Sequence, residues 1–268
     1  MRAIREAALT LVAFVPLLTG MGCEAGDKKG EALQQQAAPE AAPETAAERQ
    51  SQTTSVRESK PCGIAEWVDF LMINDIKYVH SPEDGPDVNE KQLGDEVGRV
   101  GYTLNENACS DHVSRNGDAA YVPAGTTIYA MKGYKPEFRV IADNKLYQAS
   151  ENVNAATLGD LLDIEGRTAK VSLESGRDGS AIGDFSVEAS EQFVRQLLAL
   201  PYVGWDAVYN KTRHESGVFL RVHLQDGTSL RLVFYPKGNG FTPGAFGTES
   251  LQELIMTERA RIKAAAGM

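Results

Sequence analysis

After residue 60 the chain is built of short apolar runs, alternating or β-branched, set off by Gly, Pro, Asn and Asp. Runs of this kind predict strands. The first covers residues 66–73, with WVDFLMI at its centre, and Asn74-Asp75 then leads into IKYVH. Turn residues between two β-favouring runs predict a hairpin. Further strands are predicted over 97–104, 118–131, 138–142, 145–149 and 168–173, with Asp143-Asn144 turning the fourth of these runs from the third. Pro123 and Gly125 predict a bend between Tyr121 and Thr126 in place of one straight central strand.

The period changes after Gly183. Phe193, Val194, Leu197 and Leu198 lie on one face of a helix predicted over 187–199, which Pro201 helps to end. Residues 217–234 carry the clearest strand alternation. A two-residue Asp226-Gly227 turn would set Val222 beside Arg231 and scatter apolar residues over both faces. A three-residue loop, Gln225-Asp226-Gly227 with Gly227 left-handed, sets Val218 against Phe234, Leu220 against Leu232 and Val222 against Leu230. The second register gathers the apolar set on one face and is the one predicted. Ser250, with Glu253 at capping-box spacing, is predicted to open a last helix whose Leu251, Leu254, Ile255 and Ile262 lie against the sheet. These elements predict an α+β protein of mostly antiparallel sheets with a few helices. It is either one mixed domain or two small packed subdomains, residues 61–183 (β-rich) and 184–268 (helix, hairpin, helix).

The predicted register has a chemical consequence. It places Arg221 opposite Arg231 on the polar face, with His223 and Phe219 in the same layer, and two like charges so placed require an acid or an anion. One reading is a small-anion or carboxylate site at Arg221, His223 and Arg231. The other is that acidic side chains of the C-terminal helix or of a loop satisfy them.

The N-terminal part has a different texture. Arg2 and Arg5 precede an apolar run over 7–18 that is too short to span a membrane, so residues 1–22 read as a signal peptide. The sequence Thr19-Gly20-Met21-Gly22-Cys23 resembles the lipobox of bacterial lipoproteins, with Gly20 where that family usually carries Leu. The resemblance implies lipidation of Cys23 and attachment to the membrane. The other reading is an ordinary signal-peptidase site that leaves a secreted protein, and both readings export the chain. Residues 23–60 then comprise the lipid-attachment cysteine and a linker rich in Ala, Glu, Gln, Pro and Thr, too poor in apolar residues to fold. With Cys23 lipidated, Cys62 and Cys109 form an even set in an oxidising compartment and are predicted to pair.

Composition narrows the partners. Lys and Arg number 27 against 37 Asp and Glu, a net charge of -10, and 42% of residues are hydrophobic. The acidity belongs to the part from residue 61 onward, where 20 basic residues face 29 acidic ones. This balance argues against nucleic acid and against broad attraction to anionic lipid. No metal or cofactor is predicted. His80, His112, His214 and His223 show no metal-ligand spacing, and Asp111-His112 beside Cys109 is the only tight polar cluster. The chain has no GxSxG, SxxK, P-loop or EF-hand pattern, and Gly238-Asn239-Gly240 lacks the later glycine of a dinucleotide fingerprint. No catalytic residue is predicted. The acids of the 81–96 loop, Glu83 and Asp84 among them, read as a solvated loop or a weak cation site. Tyr134 and Lys135, with Tyr129, Phe138 and Lys132, read as the closed edge of a core or as a contact surface for an envelope protein or glycan.

The stretch GDAAYVPAGTTIYAMKGYKPEFRV, then LLDIEG, then HLQDGTSLRLVFY resembles a group of uncharacterised Gram-positive cell-surface lipoproteins with a signal, tether and α+β domain plan. It spans most of residues 66–257 and implies export and domain extent, with no catalytic residues. The expected function is that of a lipid-anchored extracytoplasmic lipoprotein with a non-enzymatic binding, sensing or envelope-structural role. The partners expected are the membrane, through the N-terminal lipid, and an envelope protein, a glycan or a small anionic ligand. The alternatives are an envelope hydrolase without a local motif and a small-anion binding module.

Overall fold

The computed structural model describes residue 63 and residues 66–268, which belong to one compact unit, Arg57–Met268. The predicted signal peptide, the linker, Cys23 and Cys62 lie outside the described residues.

The protein is α+β, with two mostly antiparallel sheets. The first takes its strands from the N-terminal half: β1 (Phe70–Ile73), β2 (Ile76–Val79), β3 (Leu93–Arg99), β4 (Tyr102–Thr103), β5 (Asp118–Ala119), β6 (Thr127–Met131), β7 (Arg139–Ala142) and β8 (Lys145–Asn152). Their spatial order is β3-β6-β7-β8-β2-β1-β5-β4, and the β4–β5 pair is parallel. The second sheet contains β9 (Thr168–Glu174), β10 (Ala181–Asp184), β11 (Val218–Leu224), β12 (Ser229–Tyr235), β13 (Gly240–Phe241) and β14 (Ala245–Phe246), in the order β10-β9-β11-β12-β13-β14. Helices α1 (Leu158–Leu161), α2 (Val187–Leu198), α3 (Trp205–Thr212) and α4 (Glu249–Ala265) complete the described fold.

Turn chemistry explains the hairpins. Asn74-Asp75 and Asp143-Asn144 all have positive φ, from 51° to 61°, the left-handed conformation that Asn and Asp tolerate and that tight two-residue hairpins demand. The run over 118–131 breaks into β5 and β6, with Pro123 and Gly125 in the intervening turn. Hairpin β11–β12 closes through Gln225-Asp226-Gly227, with Gly227 at φ 85°. Its register is Val218 opposite Phe234, Leu220 opposite Leu232 and Val222 opposite Leu230.

Helix α2 starts at a Ser186 cap and buries Phe193, Val194 and Leu197. Helix α4 begins earlier than the Ser250 capping box predicts. Thr248 is the cap, its hydroxyl accepting from the Leu251 N–H at 3.1 Å, so Ser250 falls within the first turn. Two helices were not predicted. A capping box between Thr157 and Asp160 sets the single turn of α1. Helix α3 follows Gly204 and buries only Val208 and Thr212, too faint an apolar stripe to read from periodicity.

One hydrophobic core unites the halves. Tyr78, Val140 and Tyr147 of the first sheet join Val171, Leu220, Val222 and Leu232 of the second, with Phe193 of α2 and Ile255 of α4. The sheets divide between Asn152 and Thr168, before the change of texture at residue 183, because β9 pairs with β11 along its length. No described helix is long and apolar enough to cross a membrane.

Candidate functional site

The polar face of the second sheet is where the predicted register meets its chemistry. Arg221 stands opposite Arg231, and the neighbouring strand β9 supplies Glu174. One Glu174 oxygen accepts from Arg221 Nε and the other accepts from Arg231 Nε at 2.7 Å. The 82–84 loop adds two more acids. Arg221 Nη2 donates to Glu83 Oε2 at 2.8 Å and Nη1 donates to Asp84 Oδ1 at 3.0 Å. Burial disfavours the charge of Arg221, but Glu174 and Asp84 outweigh it and raise its pKa. The acid that the arginines require therefore comes from β9 and a loop, not from the C-terminal helix. All three nitrogens of Arg221 already donate within the chain, while Arg231 donates through Nε to Glu174 and is more exposed. His223 Nε2 is hydrogen-bonded to Ser172 Oγ. Its pKa is lowered by burial and by the charges of Lys170 and Arg221.

Tyr134 and Lys135 are separated by their surroundings. The Tyr134 hydroxyl donates to Asp226 Oδ2 at 2.7 Å, and its ring lies 4.5 Å from the Arg139 guanidinium and 4.8 Å from that of Arg167. Arg139 is wholly buried. It donates through Nη2 to Gln148 Oε1 at 2.8 Å and through Nη1 to Thr228 Oγ1 at 2.7 Å. Tyr134 thus covers a buried cation, Phe138 is in the core, and Lys132 and Lys135 are exposed while Tyr129 and Tyr134 are half-buried. The Tyr134 ring is therefore engaged within the chain on one side.

Near the N-terminal end of the described unit, His112 Nε2 lies 2.7 Å from Asp118 Oδ2 and its ring stacks on Tyr102. Cys109 is disulfide-bonded. The next residue, Ser110, donates its N–H to the Gly63 carbonyl at 3.2 Å, which brings the neighbour of Cys62 to the neighbour of Cys109. Among the described residues no three His, Cys, Asp or Glu side chains converge on a metal-sized site, and Glu83 and Asp84 are engaged by Arg221.

The arginine layer adjoins a cleft of 420 Å³ between β2 and β8 of the first sheet and β12 of the second. This volume lies in the range of small-ligand sites, about 300–1,000 Å³. Val79, Ala149, Leu230, Leu232 and Pro243 are among its apolar lining residues, with half-buried Trp205 of α3. Asp84, Gln148, Ser81, Ser150, Thr242 and Arg231 are among its polar lining residues. Gln148 Nε2 donates to Asp84 Oδ2 at 2.7 Å. Burial raises the pKa of Asp84 and outweighs the lowering effects of Arg221 and Gln148. The Lys77–Glu151 ion pair, 3.0 Å long, also lines the cleft.

Sequence reasoning singled out none of Glu174, Arg139, Gln148 and Trp205. For Glu174 a signal was present: Lys170, Ser172 and Glu174 alternate onto one face of β9, the face that meets Arg221. Comparison with protein-family models, curated proteins and solved structures finds no match to this chain.

Proposed function

We propose that this chain is an exported lipoprotein, anchored outside the cytoplasm through Cys23, whose folded body acts by binding and not by catalysis. The disulfide at Cys109 carries this reading, because such bonds persist in oxidising compartments and are rare in the reducing cytosol. The arrangement beside the cleft supports a binding role. Its acids are held by arginines and a glutamine, as befits recognition and sheet-to-sheet cohesion. The Ser172–His223 pair offers no nucleophile to a substrate, because Ser172 is wholly buried.

Metabolic labelling with a fatty acid tests the assignment. The expected outcome is label on the wild-type chain in the membrane fraction, with Cys23→Ala unlabelled and released. Wild-type protein found unlabelled in the medium would overturn the anchor, and a free Cys109 thiol in the denatured, unreduced protein would remove the support for export.

A further inference from the structure

We propose that the cleft beside β12 binds the amino-terminal end of a short apolar peptide. Its ammonium would meet the Asp84 carboxylate, its first amide the Arg231 main chain, and its side chains Val79, Leu230 and Leu232. This deepens the binding reading above by naming the ligand class, and it does not depend on the Cys23 anchor.

The register of hairpin β11–β12 decides which main-chain groups are available. The Leu224 N–H donates to the Thr228 carbonyl at 2.8 Å, which marks 224/228 as a hydrogen-bonded pair. Alternation along an antiparallel ladder then makes 222/230 and 220/232 hydrogen-bonded pairs as well, and turns the main chain of Ser229, Arg231 and Val233 away from β11. On that outer edge the Ser229 carbonyl accepts from Gln148 Nε2 at 3.1 Å. The Val233 N–H donates to Thr242 Oγ1 at 2.8 Å, and its carbonyl accepts from the Thr242 N–H at 3.0 Å. Strand β13 pairs with β12 only at Phe234 and Tyr235. Between these two contacts Arg231 turns its N–H and C=O towards the cleft that its own residue lines. A strand edge so placed is a template for an extended chain. The opening is one residue long, which suits the end of a peptide.

Charge and shape agree with that placement. Three carboxylates, Glu83, Asp84 and Glu174, face two guanidiniums, Arg221 and Arg231, leaving one negative charge uncompensated. Asp84 is the member of the three that lines the cleft. Each of its oxygens accepts one hydrogen bond, and a carboxylate has room for about four. Its pKa is raised by burial, and an ammonium at the carboxylate would favour the charged form. The apolar walls then receive side chains that would otherwise remain in water.

Titration calorimetry on the purified full-length protein tests the assignment with three probes: leucyl-leucine amide, its N-acetyl derivative and hexylamine. Leucyl-leucine amide is expected to bind tightest. Removing its charge by acetylation should weaken binding by about tenfold to a hundredfold, the range for losing a hydrogen bond to a charged partner. Hexylamine, which lacks the amide, should also bind about tenfold more weakly than the dipeptide amide. Asp84→Asn should abolish the difference between free and acetylated peptide. Trp205→Ala, remote from the arginine layer, should weaken the peptide several-fold even if Asp84→Asn fails to fold. Equal binding of the acetylated peptide would overturn the role of Asp84, and equal binding of hexylamine would overturn the strand edge. Binding of all three alike would overturn the peptide class while leaving a binding cleft. No binding of any would overturn the cleft as a site. An unlabelled Cys23 would leave each of these outcomes unchanged.

Discussion

Arg221 and Arg231 are the same residue type, directly opposite one another in one ladder, yet their surroundings differ. Strand β11 lies between β9 and β12, and the 82–84 loop covers it, so the Arg221 side chain is 9% exposed and meets three carboxylates. Strand β12 is flanked on its outer side only at its C-terminal end. Its Arg231 side chain is 35% exposed and shares a single carboxylate with its neighbour. The interior strand turned a like-charge pair into a closed, satisfied layer. The strand beside it, paired with β13 only at Phe234 and Tyr235, leaves the main chain of Arg231 beside a cleft. Position within the sheet, more than residue type, separates the part of this layer that holds the protein together from the part that can receive a ligand.

Substitutions at the two arginines should separate them most clearly. Arg221→Met leaves Glu174 and Asp84 buried with a partner missing, and should cost about 3–5 kcal/mol in urea unfolding, the usual range for breaking a buried ion pair. Arg231→Met leaves Glu174 still bound to Arg221 and should cost about 1 kcal/mol or less. Equal losses at the two positions would break the comparison. The smallest effect is expected at Glu83→Gln. The Glu83 side chain is 62% exposed and Arg221 keeps its other two acids, so the loss should stay below about 0.5 kcal/mol on the same measurement. A loss of several kcal/mol at Glu83 would mean that the loop, and not β9, holds the layer closed.

The fold was legible where one face of an element is buried and one is wet. In hairpin β11–β12 the period of two and a left-handed Gly227 sufficed to set the register, and with it the opposition of Arg221 and Arg231. The two Asn/Asp turns were legible for a local reason, their tolerance of positive φ. Helix α3 was not, because it buries only Val208 and Thr212. The candidate site was illegible for a different reason. Asp84 and Arg221 are 137 residues apart, and in sequence the 81–96 acids look like any solvated loop. Arg139 and Tyr134 likewise find their partner Asp226 across about ninety positions. Such pairings are made by packing two sheets together, which no local pattern encodes. The unpaired edge at Arg231 needed still more: the register, and the knowledge that β13 stops short.

The most direct test of the central claim is the amide exchange rate of Arg231, followed by NMR on the full-length protein with and without leucyl-leucine amide. In the free protein the Arg231 N–H should exchange much faster than those of Leu230 and Leu232, which the register commits to β11, and the peptide should slow Arg231 selectively. An Arg231 amide already as protected as its neighbours, or one whose exchange the peptide leaves unchanged, would contradict the account.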